Sequence, residues 1–301
     1  MGHRAVFTHN DLDGLVSAML ARVALPDAAI YFCDYNGLAG LVRSRLHRYD
    51  VIWFADLSMR DDPLFDELRE AGVEVYWFDH HASSQPQPWM AECRIVTSGA
   101  ACAADVVRDY VVEQGHEIPL PLQTLVDYAH DQDLWIRAIP EAQSFNDILG
   151  SMMVQDLFDE LTDDLGRVYH WTERMQAACE ETQAARQRSL ELAEATSSYV
   201  DLPSGERVRA ACCWGSVSEV GDSLGDANTL VVLLDLRLLE RGVLKYSFRT
   251  QSETLAANVI AERLGGGGHP KASGAPLGSD ILRTLTAAAA RQIADVAEQG
   301  D

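Results

Sequence analysis

Four short segments of this chain close apolar runs with carboxylates or imidazoles: His9-Asn10-Asp11-Leu12-Asp13, Asp56, Asp79-His80-His81 and Asp131-Gln132-Asp133. Carboxylate oxygens mixed with a few imidazole nitrogens suit divalent cations such as Mn²⁺. Two such ions side by side are a standard device for attacking a phosphorus centre with water. Residues two apart in an extended segment point the same way, so His9, Asp11 and Asp13 can aim at one place. Gly14 lets the chain turn close to that place, and Asp13 is also positioned to cap the helix that follows. Asp56 follows Trp53-Phe54-Ala55. Its central placement suits a ligand that bridges two ions, with Ser58 nearby as an alternative cap. Of the adjacent imidazoles, one can ligate a metal while the other meets a substrate phosphate or its developing charge. Asp79 can orient a ligand imidazole from behind. Either Asp131 or Asp133 can complete the shell of a second ion.

A second group of residues suits an anion. Gly265 to Gly268 expose backbone N–H groups and permit positive φ, which makes a nest. His269 and Lys271 follow at once, and Arg249 ends a strand-like segment as a second cation for a phosphate. Thr97-Ser98-Gly99 precedes a helical pattern, where Ser98 can hold an anion at a helix start. Trp89, Trp135 and Tyr246 are aromatic enough to stack on a base, although packing is the plainer role. No G-x-x-x-x-G-K-[ST] loop occurs, and no G-x-G-x-x-G follows the first strand.

These residues need elements to hold them. Residues 4–9, 28–34, 51–55 and 73–78 read as strands, with helices expected over 14–24, 38–48 and 63–71 between them. Alternation at this spacing predicts a doubly wound, mainly parallel sheet. Its strands are near-continuous apolar runs, as expected when both faces are covered. Ligands of such sheets sit outside the carboxyl ends of the strands, which is where His9, Asp11, Asp13, Asp56, Asp79, His80 and His81 fall. Helices are expected over 99–114 and 121–130. Residues 146–204 read as a helical connector, with the acidic run from Asp156 to Asp164 as a solvated face. Strands over 208–214, 230–236 and 245–249, a helix over 255–264 and a last helix over 281–298 predict a smaller α/β domain from 205 to 301. The catalytic domain spans 1–145.

The bulk numbers narrow the function. The chain has 301 residues, of which 47% are hydrophobic, enough for two domains with real cores. No apolar stretch is long enough to span a membrane, and no signal-peptide or myristoylation pattern opens the chain. A cytoplasmic protein without a membrane partner is the expectation. The formal charge of −22, with only Lys245 and Lys271 as lysines, excludes an extended nucleic-acid surface. A small anion held by a few local cations remains compatible. The six cysteines make no C-x-x-C pair and are expected to be reduced.

Taken in order, the motifs resemble the DHH phosphoesterase superfamily, named for a triplet seen here as Asp79-His80-His81. The run Gly266-Gly267-Gly268-His269, with Ala272 and Gly274, resembles the DHH-associated C-terminal domain of its oligoribonuclease (nano-RNase) and cyclic-dinucleotide branch. Many members place the first imidazole four residues before the first Asp. Here His9 stands two before Asp11, as in the oligoribonuclease motif His-Asn-Asp-Leu-Asp-Gly. The resemblance implies two Mn²⁺ ions (Mg²⁺ or Co²⁺ as substitutes) in a cleft between two domains. It implies that His9, Asp11 and Asp56 hold one ion, and Asp13, Asp56, His80 and Asp131 the other. It also implies that His81 meets the substrate phosphate and that Arg249 and the 266–269 loop grip the substrate. Lys271 is added to that grip on charge alone.

The expected activity is phosphodiester hydrolysis by a hydroxide held between the two ions. Expected substrates are short: nano-RNA, linear dinucleotides such as pApA, or 3′-phosphoadenosine 5′-phosphate, giving nucleoside monophosphates. The alternatives are a cyclic-dinucleotide phosphodiesterase, a hydrolase of pyrophosphate or short polyphosphate, and an inactive nucleotide sensor. The sequence leaves the oligomeric state open, a homodimer included.

Overall fold

A computed structural model describes residues 2–35, 37–59, 63–164, 171–241 and 245–298. The chain divides into two units, Met1–Thr182 and Gln183–Asp301.

The first unit runs β1 (Arg4–His9), α1 (Leu12–Ala24), β2 (Ala29–Cys33), α2 (Leu38–Arg43), a short 3₁₀ turn (Leu46–Arg48), β3 (Val51–Ala55), α3 (Pro63–Glu70), β4 (Glu74–Asp79), β5 (Glu92–Ile95), α4 (Ala103–Glu113), α5 (Leu120–Asp133), α6 (Pro140–Ile148), α7 (Val154–Asp164) and the start of α8 (Glu173–Ala195). The five strands form one parallel sheet in the order β2-β1-β3-β4-β5. Side chains alternate across it. Val6, Trp53, Ala55 and Phe78 enter one core with α1, α4 and α5. Ala5, Phe7, Ile52, Phe54, Val75 and Trp77 enter another, with Leu38, Val42, Leu64 and Leu68 from α2 and α3. Both faces are therefore covered, as the apolar runs require. The strand order reverses between β1 and β3, so their carboxyl ends flank a switch point, the place where such sheets bind ligands.

Several elements differ from the sequence reading. β5 was not expected; its pattern is too short and mixed to register. The expected helix over 99–114 starts at Ala103. The helix expected over 121–130 runs on to Asp133 and carries the fourth motif in its last turn. Residues 146–204 do not form one connector: α7 buries Leu157, Phe158 and Leu161 in the first unit's core, α8 crosses from one unit into the other, and a strand occupies Ser198–Asp201. Residues 165–170 of that stretch lie outside the described residues.

The second unit adds β6 (Ser198–Asp201), β7 (Arg207–Cys213), α9 (Val217–Leu224), β8 (Thr229–Asp235), β9 (Lys245–Thr250), α10 (Ala257–Arg263), β10 (Gly267–Gly268), β11 (Ala272–Pro276) and α11 (Ser279–Glu298). A 3₁₀ turn covers Leu236–Arg241. The sheet order is β10-β11-β9-β8-β7-β6. Only β7 and β8 pair in parallel, across α9; the other pairs are antiparallel. Val231 and Leu233 pack with Val220 and Leu224 on one face. Phe248 and Leu230 pack with Ala257 and Ala261 on the other. The glycine run is not an open loop. A Cβ at Gly266 would lie 2.0 Å from the Gly274 carbonyl oxygen, and one at Gly268, at φ 139°, would lie 2.7 Å from Ser273 Cα. These glycines let β10 lie flat against β11 in a hairpin, turned by a pair of bonds between His269 and Ala272.

Candidate metal centre

Three strand ends and two helix ends build the site. At the end of β1, a Cβ on Gly14 would lie 2.1 Å from the His9 carbonyl oxygen. Only glycine fits, and α1 therefore starts directly against the strand end. Asp11, and not Asp13, caps α1, accepting from the Gly14 amide at 3.0 Å. Its other oxygen lies 2.6 Å from His9 Nδ1. Asp13 instead turns away, and its two oxygens accept from the Ala103 and Ala104 amides at 2.8 and 2.7 Å. A carboxylate there is favoured by the free N–H groups and the dipole of α4. That helix start is itself held by Asp105, which accepts from the Cys102 amide (3.1 Å), pairs with His130 (2.6 Å) and is neutralised by Arg108 (3.0 Å). Cys102, Asp105 and His130 thus fix the end of α4 that fixes Asp13.

Asp56 occupies the centre. It is 1% exposed and sits at φ 54°, a left-handed conformation rare outside glycine that Asp tolerates better than most. Its amide still donates to Phe78 at 3.0 Å, continuing the sheet while the side chain swings out of it. Oδ2 lies 3.6 Å from His9 Nδ1 and Oδ1 lies 3.4 Å from His80 Nε2. His80 Nε2 is also 3.4 Å from Asp133 Oδ2 and 3.8 Å from Asp13 Oδ2. Among the described residues three overlapping ligand groups result here, His9–Asp11–Asp56, Asp13–His80–Asp133 and Asp56–Asp79–His80–His81, and Asp56 lies near all of them.

Asp131 does not join them. It is 2% exposed and accepts from the Ala138 amide at 2.8 Å, bracing the turn after α5. Residues two apart on a helix point to different sides, so the carboxylate that reaches His80 is that of Asp133.

Behind the site, Asp79 is fully buried. It accepts His81 Nδ1 at 2.7 Å and the Ser84 hydroxyl. Asp79 thus orients His81 rather than the ligand imidazole His80. His81 Nε2 meets the Tyr35 hydroxyl at 3.2 Å. Tyr35, just past β2, was missed because a single exposed aromatic carries no spacing signal.

Buried carboxylates crowd together in the site and raise one another's pKa. Burial, then the Asp11 carboxylate, push Asp56 well above the usual carboxylate range. Burial and Asp56 do the same to Asp13, and burial raises Asp133. Burial disfavours charge on His9, yet the hydrogen bond to Asp11 and the nearby Asp56 carboxylate carry it up to about 10. Burial also opposes ionisation of Asp11, which the His9 pair holds down to about 2. Asp11 remains 45% exposed, so solvent screens that pair. His81 is raised because Asp79 outweighs its burial. Among the described residues, Asp56 Oδ2 and His80 Nε2 are buried without a hydrogen-bond partner. Unpaired buried polar atoms are costly. Divalent cations on a carboxylate and imidazole donor set satisfy them.

The remaining candidates stand elsewhere. Ser98 is exposed, five residues before α4, whose start Asp13 already occupies. In the second unit, Arg249 donates to the Phe248 carbonyl at 2.8 Å and to the Ser218 hydroxyl at 2.9 Å; burial lowers its pKa. Gly266, Gly267 and Gly268 belong to the hairpin strand or its approach, and His269 is exposed at its tip. Lys271 is not a free cation. Its ammonium meets Glu253 (2.6 Å) and the carbonyls of Gln251 (3.1 Å) and Ser252 (2.9 Å).

Carboxylates and imidazoles gathered at the carboxyl edge of a parallel sheet define a metal-dependent hydrolase. Residues 4–129 match the DHH family, N-terminal domain. It is 24% identical to the oligoribonuclease NrnB of Bacillus subtilis over 307 residues, 95% of this chain and 76% of that one. Two solved structures share the fold. One is an exonuclease RecJ bound to manganese, with TM-score 0.63, 18% identity and 95% of this chain and 88% of that chain covered. The other is the pGpG-specific phosphodiesterase PggH of Vibrio cholerae, with TM-score 0.60, 13% identity and 97% and 99% covered. Among the described residues, no helix is long and apolar enough to cross a membrane.

Proposed function

We propose that this chain is a Mn²⁺-dependent phosphodiesterase that cuts short oligoribonucleotides and linear dinucleotides to nucleoside monophosphates. The observation that carries this is Asp56, buried and unpaired at Oδ2, with its two oxygens turned toward His9 and His80. His9, Asp11 and Asp56 would hold one divalent ion. Asp13, His80 and Asp133, with Asp56 shared, would hold the second. Bound there, the ions lower the pKa of water and offset charge on the phosphate oxygens. His81, held from behind by Asp79, which raises its pKa against the effect of burial, is assigned to meet the substrate phosphate through Nε2. Asp13 and Asp79 also fix the geometry, because their oxygens are tied to α4, Ser84 and His81.

A short substrate fits the formal charge of −22, which offers no basic track for a long strand. The likeness to an oligoribonuclease, and a shared fold with a phosphodiesterase acting on pGpG and with a manganese-bound RecJ, supports the same reading. Arg249 and the hairpin residues Gly266 to His269 are assigned to substrate binding. Ser98 and Lys271 are not.

The test is a panel. Mn²⁺-loaded protein is given pAp, pApA, cyclic di-AMP, a five-nucleotide RNA and pyrophosphate, with products resolved. The expected outcome is nucleoside monophosphate from the linear species, lost with EDTA, restored by Mn²⁺ and absent in Asp56→Asn. Turnover that survives complete metal removal, or hydrolysis of pyrophosphate alone, sinks the proposal.

A further inference from the structure

Tyr35 has no place in the assignment above, yet it touches both sides of the site. It follows β2, so a fourth strand end reaches the carboxyl edge of the sheet. Its hydroxyl lies 3.2 Å from His81 Nε2. Its ring centroid lies 4.8 Å from that of His9, and it meets His81 nearly edge-on at 84°. Packing does not account for it. The aromatic rings of the sheet core, among them Phe7, Phe54, Trp77 and Phe78, are fully buried, whereas Tyr35 is 42% exposed.

We propose that Tyr35 is a positioning residue for His81 and that its open ring face is the stacking wall for the nucleoside beside the scissile phosphate. The first half follows from the imidazole. Nδ1 is held by Asp79, itself held by Ser84, and Nε2 by Tyr35. A ring anchored at Nδ1 and met at Nε2 keeps one orientation in the free site, so Nε2 is already aimed when a phosphate oxygen takes the phenol's place. The second half follows from where the ring stands. One side of the phenol lies against His9, leaving exposed area for a ligand, and every nucleobase has a π-face that such a ring accepts. The wall takes purine nucleotides without reading their edges, so pApA and pGpG should bind alike.

This inference rests on the phosphodiesterase reading for its substrate, and the experiment separates the two. Tyr35→Phe keeps the ring and removes the hydroxyl; Tyr35→Leu removes both. Each is measured for kcat and KM on pApA, for the ¹⁵N resonances of the His81 ring by NMR, and for Tm. In Tyr35→Phe, kcat should fall about tenfold with KM within about twofold, and the His81 resonances should move. Tyr35→Leu should lose kcat similarly and raise KM about tenfold as well, the Phe variant acting as the rescue of binding. Unchanged kcat and His81 resonances in Tyr35→Phe overturn the positioning role. Equal KM in the Leu and Phe variants overturns the wall. If Tyr35→Leu melts early, Phe against wild type still decides the first half, and Tyr35→Trp, with KM at or below wild type expected and a tenfold rise overturning it, decides the second. A wild type inactive on every nucleotide refutes the phosphodiesterase reading, and the His81 resonances then still report the positioning role by themselves.

Discussion

Asp133 Oδ2 stands 3.4 Å from His80 Nε2, while Asp131, one helical side away, accepts from the Ala138 amide at 2.8 Å. Two carboxylates in one turn of α5 therefore have separate work. Asp133→Ala should weaken Mn²⁺ binding by at least about tenfold and abolish turnover, with little change in Tm. Asp131→Ala should lower stability by about 1–3 kcal/mol, because it strips the acceptor from a braced turn in which Trp135 and Arg137 have φ of 57° and 59°. Isothermal titration with Mn²⁺ and urea unfolding of both variants check this. Metal loss in Asp131→Ala with none in Asp133→Ala would reverse the assignment.

Gly14 is the hinge of the first motif. A methyl group there meets backbone, the His9 carbonyl at 2.1 Å, and backbone cannot step aside as a side chain can. Gly14→Ala should destabilise by about 2–3 kcal/mol and pull His9 away from Asp56. Denaturant unfolding measures the first effect and Mn²⁺ affinity the second. A variant as stable as wild type would show that the close approach does not exist.

The titrating groups set a pH dependence for metal-free protein. Asp56, Asp13 and Asp133 have folded pKa values above their unfolded ones. Their contribution is present below the unfolded carboxylate pKa and is lost as pH rises through the raised values. His9, raised to about 10, acts in the same sense: its contribution is whole below pH about 6.5 and gone above about 10. Asp11, held down to about 2, acts oppositely, losing its contribution only as pH falls from about 4 to 2. Metal-free protein should thus be most stable in mild acid. Mn²⁺ competes with these protons, so its gain in Tm should be larger at pH 8 than at pH 5. Melting curves with EDTA and with Mn²⁺ at both pH values check the sign; an equal gain would mean that the ions do not bind at the carboxylates.

Arg249 and Lys271 should separate cleanly in kinetics. Lys271 is tied to Glu253 and two carbonyls, so Lys271→Ala should leave KM within about twofold. Arg249→Ala should raise KM for a dinucleotide by about tenfold or more and change kcat less. If Arg249→Ala instead lowers Tm with KM intact, the guanidinium only braces Ser218 and the end of β9.

Much of this protein was legible in its residue order. The apolar runs ending at His9, Ala55 and Phe78 announced buried parallel strands, and the rule that ligands gather at their carboxyl ends placed Asp56 and His80 together before any coordinates. Composition disfavoured wholesale wrapping of a long nucleic acid, because charge needs no fold to be counted. Other matters depended on direction in space. Whether Asp11 or Asp13 caps α1, and whether Asp131 or Asp133 meets His80, turns on rotations of the backbone that a carboxylate's identity does not encode. The glycine run looked like an open nest and forms a hairpin, since only the partner strand shows what a missing Cβ makes room for. Tyr35 came to His81 across separate strands, and Lys271 found Glu253 across a turn. Residue type and period are local and can be read along a chain. Which side chain faces which is a property of packing among segments distant in sequence, and only the tertiary structure decides it.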